Sequence, residues 1–260
     1  MASRPSLLES SRIAFGGGEF ARRIALAREN YPEQEAGKPP LYRMLRELDL
    51  LLEPGRRLTR NIEITPARDP QKIILIPGFG TGPRKMRYMA QQLERAGHKV
   101  KRWGLNRNMG VAAETMERLE DRLFEVCERY EEPVALVGWS LGGLYARELA
   151  KRHPICVTTV ITMGSPFSGS PRANNVWRVY QAIAGHRVDQ PPIETVLAEK
   201  PPVETVALWS PNDGMIGARC AAGRPGERDR AIALRCTHAG FAYSPECIQA
   251  VLAELDRARG

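Results

Sequence analysis

Ser140 lies at the centre of G-W-S-L-G, a GxSxG pattern that could present a nucleophile. An apolar run, Val134–Val137, precedes the pattern, and apolar residues at helical spacing follow it from Leu141. A strand that turns this abruptly into a helix strains its central residue, and the two glycines remove β-carbons that would otherwise collide there. Such a turn would push the Ser140 hydroxyl into solvent. The alternative interpretation is a glycine-rich turn with a solvated serine.

Asp213 and His238 have the chemistry that a nucleophilic serine needs. A serine hydroxyl requires a base at neutral pH, and histidine, with an ordinary pKa of about 6.5, can accept that proton and return it. Asp213 in S-P-N-D-G and His238 in T-H-A-G each follow a predicted strand, at the edge where parallel sheets place their sites. Taken singly, Asp-Gly is an ordinary turn signal and a lone histidine indicates nothing. The order Ser, Asp, His and the shared position predict a catalytic triad.

Other acids and histidines fit this triad less well. Asp189 lies in the long segment before the next strand and is the main competitor for the acid position. His98 follows a predicted helix end, and His186 lies in the same long segment as Asp189. His153 ends the helix that follows the serine, where the helix dipole explains it.

Two backbone N–H groups are candidates for an oxyanion hole. Leu141 begins the helix after the serine, so its N–H points toward the space where an acyl oxyanion would form. The predicted strand Lys72–Ile76 leads into P-G-F-G-T-G-P-R, whose glycines allow close approach of the main chain, and the N–H of Phe79 is the second candidate. A phosphate cradle is disfavoured because the loop lacks the G-K-[ST] and G-x-G-x-x-G patterns.

Strands alternate with helices along the part of the chain that carries these residues. That order implies right-handed crossovers and a mostly parallel central sheet flanked by helices, which is the α/β class. The further predicted strands are Val100–Trp103, Val157–Met163, Val203–Trp209 and Ala231–Cys236, and the predicted helices run from Pro83 to Gly97, from Ala113 to Tyr130, and onward from Leu141 and from Pro245.

The connection between the strands Val157–Met163 and Val203–Trp209 is long for a compact sheet. We interpret its part 168–202, which contains a predicted helix, as a small helical cap over the serine. Aromatic residues in and near the cap could line an acyl pocket or only anchor the cap; the candidates are Trp139, Phe167, Trp177 and Tyr180.

Residues 1–65 are predicted to form a helical extension packed on a single domain of residues 66–260. Two predicted helices lie in the extension, Glu19–Asn30 and Leu41–Leu52. The second has an apolar stripe that we expect to pack on the main body: Leu41, Met44, Leu45, Leu48 and Leu52. The extension is too short for a core of its own, and no chemistry is predicted for it.

The composition of the 260 residues is typical of a soluble globular protein. No apolar run reaches the roughly 20 residues that span a bilayer, and the N-terminus lacks the continuous apolar region of a secretory signal, so a cytoplasmic location is expected. The net charge of +8 comes mostly from dispersed arginines without interleaved aromatics, which disfavours nucleic-acid binding. An anionic substrate or a membrane surface could still use this charge.

The five cysteines predict neither a disulfide framework nor a zinc site. Cys127, Cys156, Cys220, Cys236 and Cys247 are odd in number and show no C-x-x-C spacing. A bridge between Cys220 and Cys236 stays open as an alternative, and no metal site is predicted.

The motifs together resemble those of α/β-hydrolases of the esterase and lipase type. They are P-G-F-G, G-W-S-L-G-G, G-S-P-F, S-P-N-D-G and T-H-A-G, and they span about residues 70–258. Many relatives have His-Gly in the oxyanion loop where this chain has Pro77-Gly78; because the donor is a backbone amide, the change does not remove it. The resemblance implies the α/β-hydrolase fold and hydrolysis of a small-molecule or lipid carboxylic ester by an acyl-enzyme route without a cofactor.

Two other functions are compatible with these motifs. An acyltransferase would use the same three residues but transfer the acyl group to an alcohol. A catalytically silent scaffold would bind a ligand or a protein through the cap and the N-terminal segment, although the intact Ser140, Asp213 and His238 argue against it. Peripheral contact with a membrane is compatible with a lipid ester as substrate, and the sequence predicts no oligomeric state.

Overall fold

Six strands form a sheet in which every neighbouring pair is parallel. The computed structural model describes residues 17–29 and 37–258, and the strands in this part of the chain are β1 (Lys72–Ile76), β2 (Lys99–Arg102), β3 (Val134–Trp139), β4 (Val157–Met163), β5 (Glu204–Trp209) and β6 (Arg230–Ala233). Their order across the sheet is β2-β1-β3-β4-β5-β6. The connections therefore reverse direction between β1 and β3, and such a switch point opens a crevice at the carboxyl ends of the strands.

Helices precede, flank and follow the sheet. The α-helices in the described residues are α1 (Gly17–Arg28), α2 (Tyr42–Arg46), α3 (Glu53–Thr59), α4 (Arg87–Arg95), α5 (Ala113–Tyr130), α6 (Leu141–Arg152), α7 (Trp177–Ala184), α8 (Ala218–Ala222) and α9 (Pro245–Arg257). Short 3₁₀ helices span Glu47–Leu52, Pro83–Met86, Pro154–Cys156 and Ala239–Ala242. The prediction of a parallel sheet flanked by helices is confirmed.

Both faces of the sheet are buried, and alternate residues of β1 show how. Ile73 and Leu75 pack in the core that contains the apolar residues of α4 and α9. Ile74 and Ile76 pack in the core that contains those of α5 and α6. A strand that is covered on both faces needs apolar side chains at successive positions. This requirement explains why the strands could be recognised as short apolar runs.

Some element boundaries differ from the predicted ones. The predicted helix Leu41–Leu52 is divided into α2 and a 3₁₀ segment, and the predicted last strand ends at Ala233 rather than Cys236. Asn30, the predicted end of the first helix, lies outside the described residues, and α1 ends at Arg28.

The expected orientation of the stripe in residues 41–52 is wrong. Leu41, Leu45, Leu48 and Leu52 are each more than half exposed, whereas Glu47 on the inner side is buried. Glu53, which follows, is 1 % exposed and pairs with Arg57 and Arg60. Polar partners thus occupy the inner side of this segment, so these four leucines face outward, whereas Leu50 packs against the core.

Helix α7 lies in the long connection between β4 and β5 and packs against α1. The Arg22 guanidinium donates to the Gly185 carbonyl (2.9 Å), and the Gln181 side-chain amide donates to the Leu26 carbonyl (2.7 Å). These contacts join α1 to segment 168–202.

Candidate active site

Ser140 lies at the junction between β3 and α6 in a strained backbone conformation. Its φ and ψ are 54° and −121°, and Glu131 is the only other non-glycine residue with a positive φ in the described ranges. The Ser140 N–H donates to the Met163 carbonyl in β4 (2.8 Å), and the Ser140 carbonyl accepts from Gly143 in α6 (3.0 Å). The neighbouring strand and helix thus hold a conformation that typically costs about 1–3 kcal/mol and that clusters at functional sites.

Two glycines permit the close crossing of strand and helix at this turn. A β-carbon at Gly142 would lie 2.2 Å from the Ile76 carbonyl oxygen in β1, and one at Gly138 would lie 2.4 Å from the Gly142 carbonyl oxygen. Both separations are shorter than a carbon and an oxygen can approach, so the turn requires glycine at both positions. This is the collision that the GxSxG pattern indicated.

Asp213 and His238 form a buried hydrogen-bonded pair. Nδ1 of His238 lies 2.7 Å from Oδ2 of Asp213, and both residues are buried. The other carboxylate oxygen accepts the N–H groups of Met215 and Ile216, each at 2.8 Å, so the turn after β5 fixes the carboxylate. Because a carboxylate accepts from Nδ1–H, Nε2 of the neutral ring carries the lone pair and can act as a base.

The surroundings of His238 favour its protonated form. Burial lowers the pKa of the imidazole, but the charge of Asp213 and its hydrogen bond oppose this effect, and the charge of Glu47 adds to them. The net result is a pKa raised above the ordinary value. A histidine held in this way is a stronger base than an exposed one.

Trp139 connects the serine turn to the loop that carries His238. Its indole N–H donates to the His238 carbonyl (3.0 Å), and the centroids of the two rings lie 5.8 Å apart.

Within the described ranges, neither the Ser140 hydroxyl nor Nε2 of His238 takes part in a hydrogen bond. Ser140, Asp213 and His238 each follow the carboxyl end of a strand, so the fold brings all three to the same edge of the sheet.

Phe79 and Leu141 place two backbone N–H groups near Ser140. Phe79 lies in the loop after β1, and its N–H makes no hydrogen bond to any backbone carbonyl in the described chain. Leu141 begins α6, so its N–H has no acceptor within the helix. A β-carbon at Gly78 would lie 3.2 Å from Cβ of Ser140, so the loop passes close to the serine. Two unpaired donors beside a nucleophile are what an oxyanion hole requires.

Asn108, a residue without any sequence signal, holds the loop after β1. Its side-chain amide donates to the Pro77 carbonyl (2.8 Å), its N–H donates to the Thr81 carbonyl (2.8 Å), and its carbonyl accepts from the N–H of Gly80 (2.6 Å). These bonds lie on both sides of Phe79. A buried asparagine therefore fixes the position of the candidate oxyanion donor.

An apolar cavity opens beside Ser140. Its empty space, about 830 Å³, includes volume that is open to solvent, and its walls come mainly from the loop after β1, from α6 and from segment 168–202. Leu144, Val188 and Ile193 are among the apolar lining residues. The polar lining residues include Glu148, whose carboxylate is neutralised by Lys151 at 2.7 Å. The cavity suits an apolar group attached to the atom that Ser140 would attack.

Two of the four candidate pocket residues line this cavity, and two lie elsewhere. Trp177 and Tyr180 contribute to the wall, and the Tyr180 ring lies 5.1 Å from that of Phe79. Trp139 instead packs in the core on the side of the sheet that α4 and α9 cover, where its indole N–H donates to the His238 carbonyl. Phe167 packs under the guanidinium of Arg147, which lies 4.1 Å from its ring centroid. The predicted aromatics therefore have two different roles.

The competing titratable residues are held away from the Asp213–His238 pair. Asp189 pairs with Arg172 (2.7 Å) in segment 168–202. The other histidines bind elsewhere: His98 accepts the N–H of Gln71, His153 lies against Glu120, and His186 bonds to the Val111 carbonyl.

Glu47 is a second residue near the site that sequence reasoning missed. Its carboxylate accepts N–H groups from Gly214 (3.1 Å), His238 (2.8 Å) and Ala239 (2.9 Å). The segment that carries it had no predicted chemistry. A glutamate among leucines has no pattern that marks this contact, because the donors lie more than 160 positions further along the chain.

The cysteines of the described residues form no disulfide. All five cysteines are free, so the alternative of a Cys220–Cys236 bridge is wrong. Residues 17–29 and 37–258 contain no cluster of three or more histidine, cysteine, aspartate or glutamate side chains that could hold a metal ion. No helix in the same ranges has the length and apolarity to cross a membrane.

Residues 72–256, from the start of β1 almost to the end of α9, match the sequence model of the palmitoyl protein thioesterase family. Two curated proteins show local similarity, both named pimeloyl-[acyl-carrier protein] methyl ester esterase. The one from Aromatoleum aromaticum is 33 % identical over 95 residues, 36 % of this chain and 36 % of that protein. The one from Sodalis glossinidius is 31 % identical over 110 residues, 42 % of this chain and 40 % of that protein. The similarity thus spans less than half the length of these relatives.

Solved structures share the fold at low sequence identity. The monoacylglycerol lipase of Paleococcus ferrophilus superposes with a TM-score of 0.53 and 17 % identity, over 75 % of this chain and 96 % of that one. The Bacillus licheniformis lipase BlEst2, in its propeptide form, gives a TM-score of 0.57 and 18 % identity, over 74 % of this chain and 52 % of that one. These likenesses show the α/β-hydrolase fold that the sequence motifs implied.

Proposed function

The chain belongs to the palmitoyl protein thioesterase family and is an α/β hydrolase of the esterase or thioesterase type, and we propose that it acts as a serine hydrolase through Ser140, His238 and Asp213. The observation that supports this most strongly is the buried 2.7 Å bond between Asp213 and His238, at the sheet edge where β3 ends in the strained Ser140 turn. The order of the three residues along the chain, the burial of Asp213 and His238, and the backbone strain at Ser140 agree with Ser140 as nucleophile, His238 as base and Asp213 as the carboxylate that orients the base.

In the first half-reaction, Nε2 of His238 removes the proton of the Ser140 hydroxyl while Oγ bonds to the acyl carbon of the substrate. The carbonyl electron pair moves onto oxygen, and the N–H groups of Phe79 and Leu141 donate to that oxyanion. The bond to the alcohol or thiol then breaks, and the leaving group takes the proton from His238. Asp213 keeps Nδ1 protonated throughout.

In the second half-reaction, water replaces the leaving group. Nε2 of His238 accepts a proton from the water as its oxygen attacks the acyl carbon of the acyl-enzyme. The oxyanion forms again at the same two donors and collapses. Ser140 departs with the proton from His238, and a carboxylic acid is released.

The cavity beside Ser140 indicates the chemical class of the acyl group. Its lining is mostly apolar, and a hydrocarbon chain would gain roughly 0.8 kcal/mol for each buried methylene. The family is described as a thioesterase family and the curated relatives as methyl ester esterases. We therefore propose an ester or a thioester of an apolar acyl chain as the substrate.

Replacing Ser140 tests the proposed function. We expect a fluorophosphonate to label the wild-type protein and not the variant Ser140→Ala, whose turnover of a short p-nitrophenyl ester should fall by about 10⁴-fold to 10⁶-fold. Ser170→Ala, a change outside the cavity lining, should retain both labelling and turnover. Wild-type protein that is neither labelled nor active would overturn the enzymatic proposal and favour a silent scaffold.

The identity of the acceptor separates a hydrolase from an acyltransferase. Parallel assays with p-nitrophenyl esters and S-acyl pantetheine thioesters, with and without added ethanol, would measure free acid and ethyl ester. We expect free acid as the main product in both conditions. Ester formation at the expense of acid would transfer the assignment to acyl transfer.

A further inference from the structure

Residues 42–47, which we call the strap, cross the loop that carries Asp213. The Arg43 guanidinium donates to the Pro211 carbonyl (2.5 Å), and that of Arg46 donates to Oδ1 of Asn212 (3.2 Å). The strap comes from a part of the chain that precedes the first strand. It therefore joins the acid loop to the N-terminal portion of the protein.

Glu47, the last residue of the strap, bonds to both catalytic loops at once. One carboxylate oxygen accepts the N–H of Gly214, next to Asp213, and also the N–H of His238. The other oxygen accepts the N–H of Ala239. The side chain is buried, so water competes little for these three donors. A single carboxylate thus links the backbones that carry the proposed acid and the proposed base.

Burial of this carboxylate has no explanation in apolar packing. An ionised group is costly to bury unless donors surround it, and hydrogen bonds from backbone N–H groups to a carboxylate are among the stronger ones in proteins. Leu45 and Leu48, on either side of Glu47, are 68 % and 59 % exposed. A leucine turned inward would bury apolar area, yet the acid takes the inner position. The contacts with the two loops are what stabilise this orientation.

We propose that Glu47 is a positioning residue that fixes the Asp213 and His238 loops relative to each other and supports the positive imidazole that forms during the reaction. The inference rests on the proposed function, since it assigns Glu47 to the same site. Glu47 touches neither the serine nor the cavity, and it acts through His238.

The charge of Glu47 predicts a direction for the pH profile. The charged groups that act on His238 are Asp213 and Glu47; burial lowers the pKa of the imidazole, and the two carboxylates raise it. Removing the Glu47 charge therefore lowers the pKa of His238. Because the base must be neutral to accept the serine proton, the acid limb of kcat/KM should then move to lower pH.

The experiment compares Glu47→Gln with Glu53→Gln. Glu53 is a matched control because it is also a buried carboxylate of the N-terminal portion, but its partners are Arg57 and Arg60 and not the catalytic loops. We expect Glu47→Gln to lower kcat for a p-nitrophenyl ester by about 10-fold to 100-fold, with KM little changed and the acid limb displaced to lower pH. Glu53→Gln should lower Tm and leave the acid limb of the kcat/KM pH profile where it is in the wild type.

Failure of the Glu47 inference and failure of the proposed function give different results. If Glu47→Gln keeps the wild-type kcat and the wild-type acid limb and only has a lower Tm, as the control does, Glu47 is structural and the inference is wrong. If wild-type protein shows no Ser140-dependent turnover, the proposed function itself fails.

Amide hydrogen exchange on the wild-type protein covers the case in which Glu47→Gln does not fold. The N–H groups of Gly214, His238 and Ala239 should exchange far more slowly than exposed loop amides, because Glu47 accepts all three. Exchange at the rate of exposed loops would show that the bonds do not persist and would overturn the inference.

Discussion

Asp213 and Asp189 are the two acids that the sequence offers to His238, and their contacts distinguish them. Asp213 bonds to Nδ1 of His238, whereas Asp189 bonds to Arg172. We expect Asp213→Asn to lower kcat on a short p-nitrophenyl ester by roughly 10⁴-fold, because an amide can donate to Nδ1 and so favour the wrong tautomer of the ring. Steady-state kinetics on purified variants would measure this loss.

Asp189→Asn is the matched change for that experiment. It removes the ion pairs of Asp189 with Arg172 and Arg187, each of a kind that typically contributes less than about 1 kcal/mol near the surface, and it leaves the imidazole as it is. Turnover should therefore stay close to that of the wild type. Equal losses in the two variants would transfer the acid role to Asp189.

At the scale of elements, β3, the serine turn and α6 form one unit whose geometry depends on Gly142. A β-carbon at this position would lie 2.2 Å from the Ile76 carbonyl oxygen in β1. Because this oxygen belongs to the backbone of a central strand, it cannot move aside as the end of a flexible side chain could. We expect Gly142→Ala to lower the free energy of unfolding by about 1–3 kcal/mol and to abolish fluorophosphonate labelling, since helix and strand must separate. Urea unfolding and labelling would measure both effects.

Gly55 provides the control for this change. It lies in α3, and a β-carbon there would meet no atom within 4 Å. Gly55→Ala should be neutral or stabilise the protein by up to about 1 kcal/mol, because alanine is the better helix former. A Gly142→Ala variant as stable and as reactive as Gly55→Ala would contradict the close packing described for the serine turn.

At the scale of the whole molecule, the cavity is assembled from distant parts of the chain. Phe79 comes from the loop after β1, Leu144 from α6 and Ile193 from segment 168–202. We expect Leu144→Trp to fill part of this space and to lower kcat/KM for a twelve-carbon p-nitrophenyl ester by about 10-fold or more relative to a four-carbon one. A series of esters of graded length would measure the change in preference.

Ile155→Trp tests whether a bulky residue acts through the cavity. Ile155 is 90 % exposed and does not line the cavity. This variant should keep the wild-type preference for acyl length. If both tryptophan variants behave alike, the acyl chain does not occupy this space.

Much of the fold could be read from the sequence because the relevant signals are local. A strand covered on both faces needs consecutive apolar residues, as in Ile73–Ile76, and the GxSxG glycines report a steric conflict within a few residues of Ser140. Parallel strands also end at the same edge of a sheet, so residues placed just after strands were expected to meet. Asp213 and His238 do meet.

Only the tertiary structure decided which side of residues 41–52 is buried. The period of its leucines predicted an inward stripe, yet Leu41, Leu45 and Leu48 are exposed and Glu47 is buried. The physical reason is that the N–H groups of Gly214, His238 and Ala239, in the loops that carry Asp213 and His238, lie beneath this segment and donate to a carboxylate there. Such donors belong to residues far away in the chain, so neither the position of Glu47 nor that of Asn108 can be derived from local periodicity.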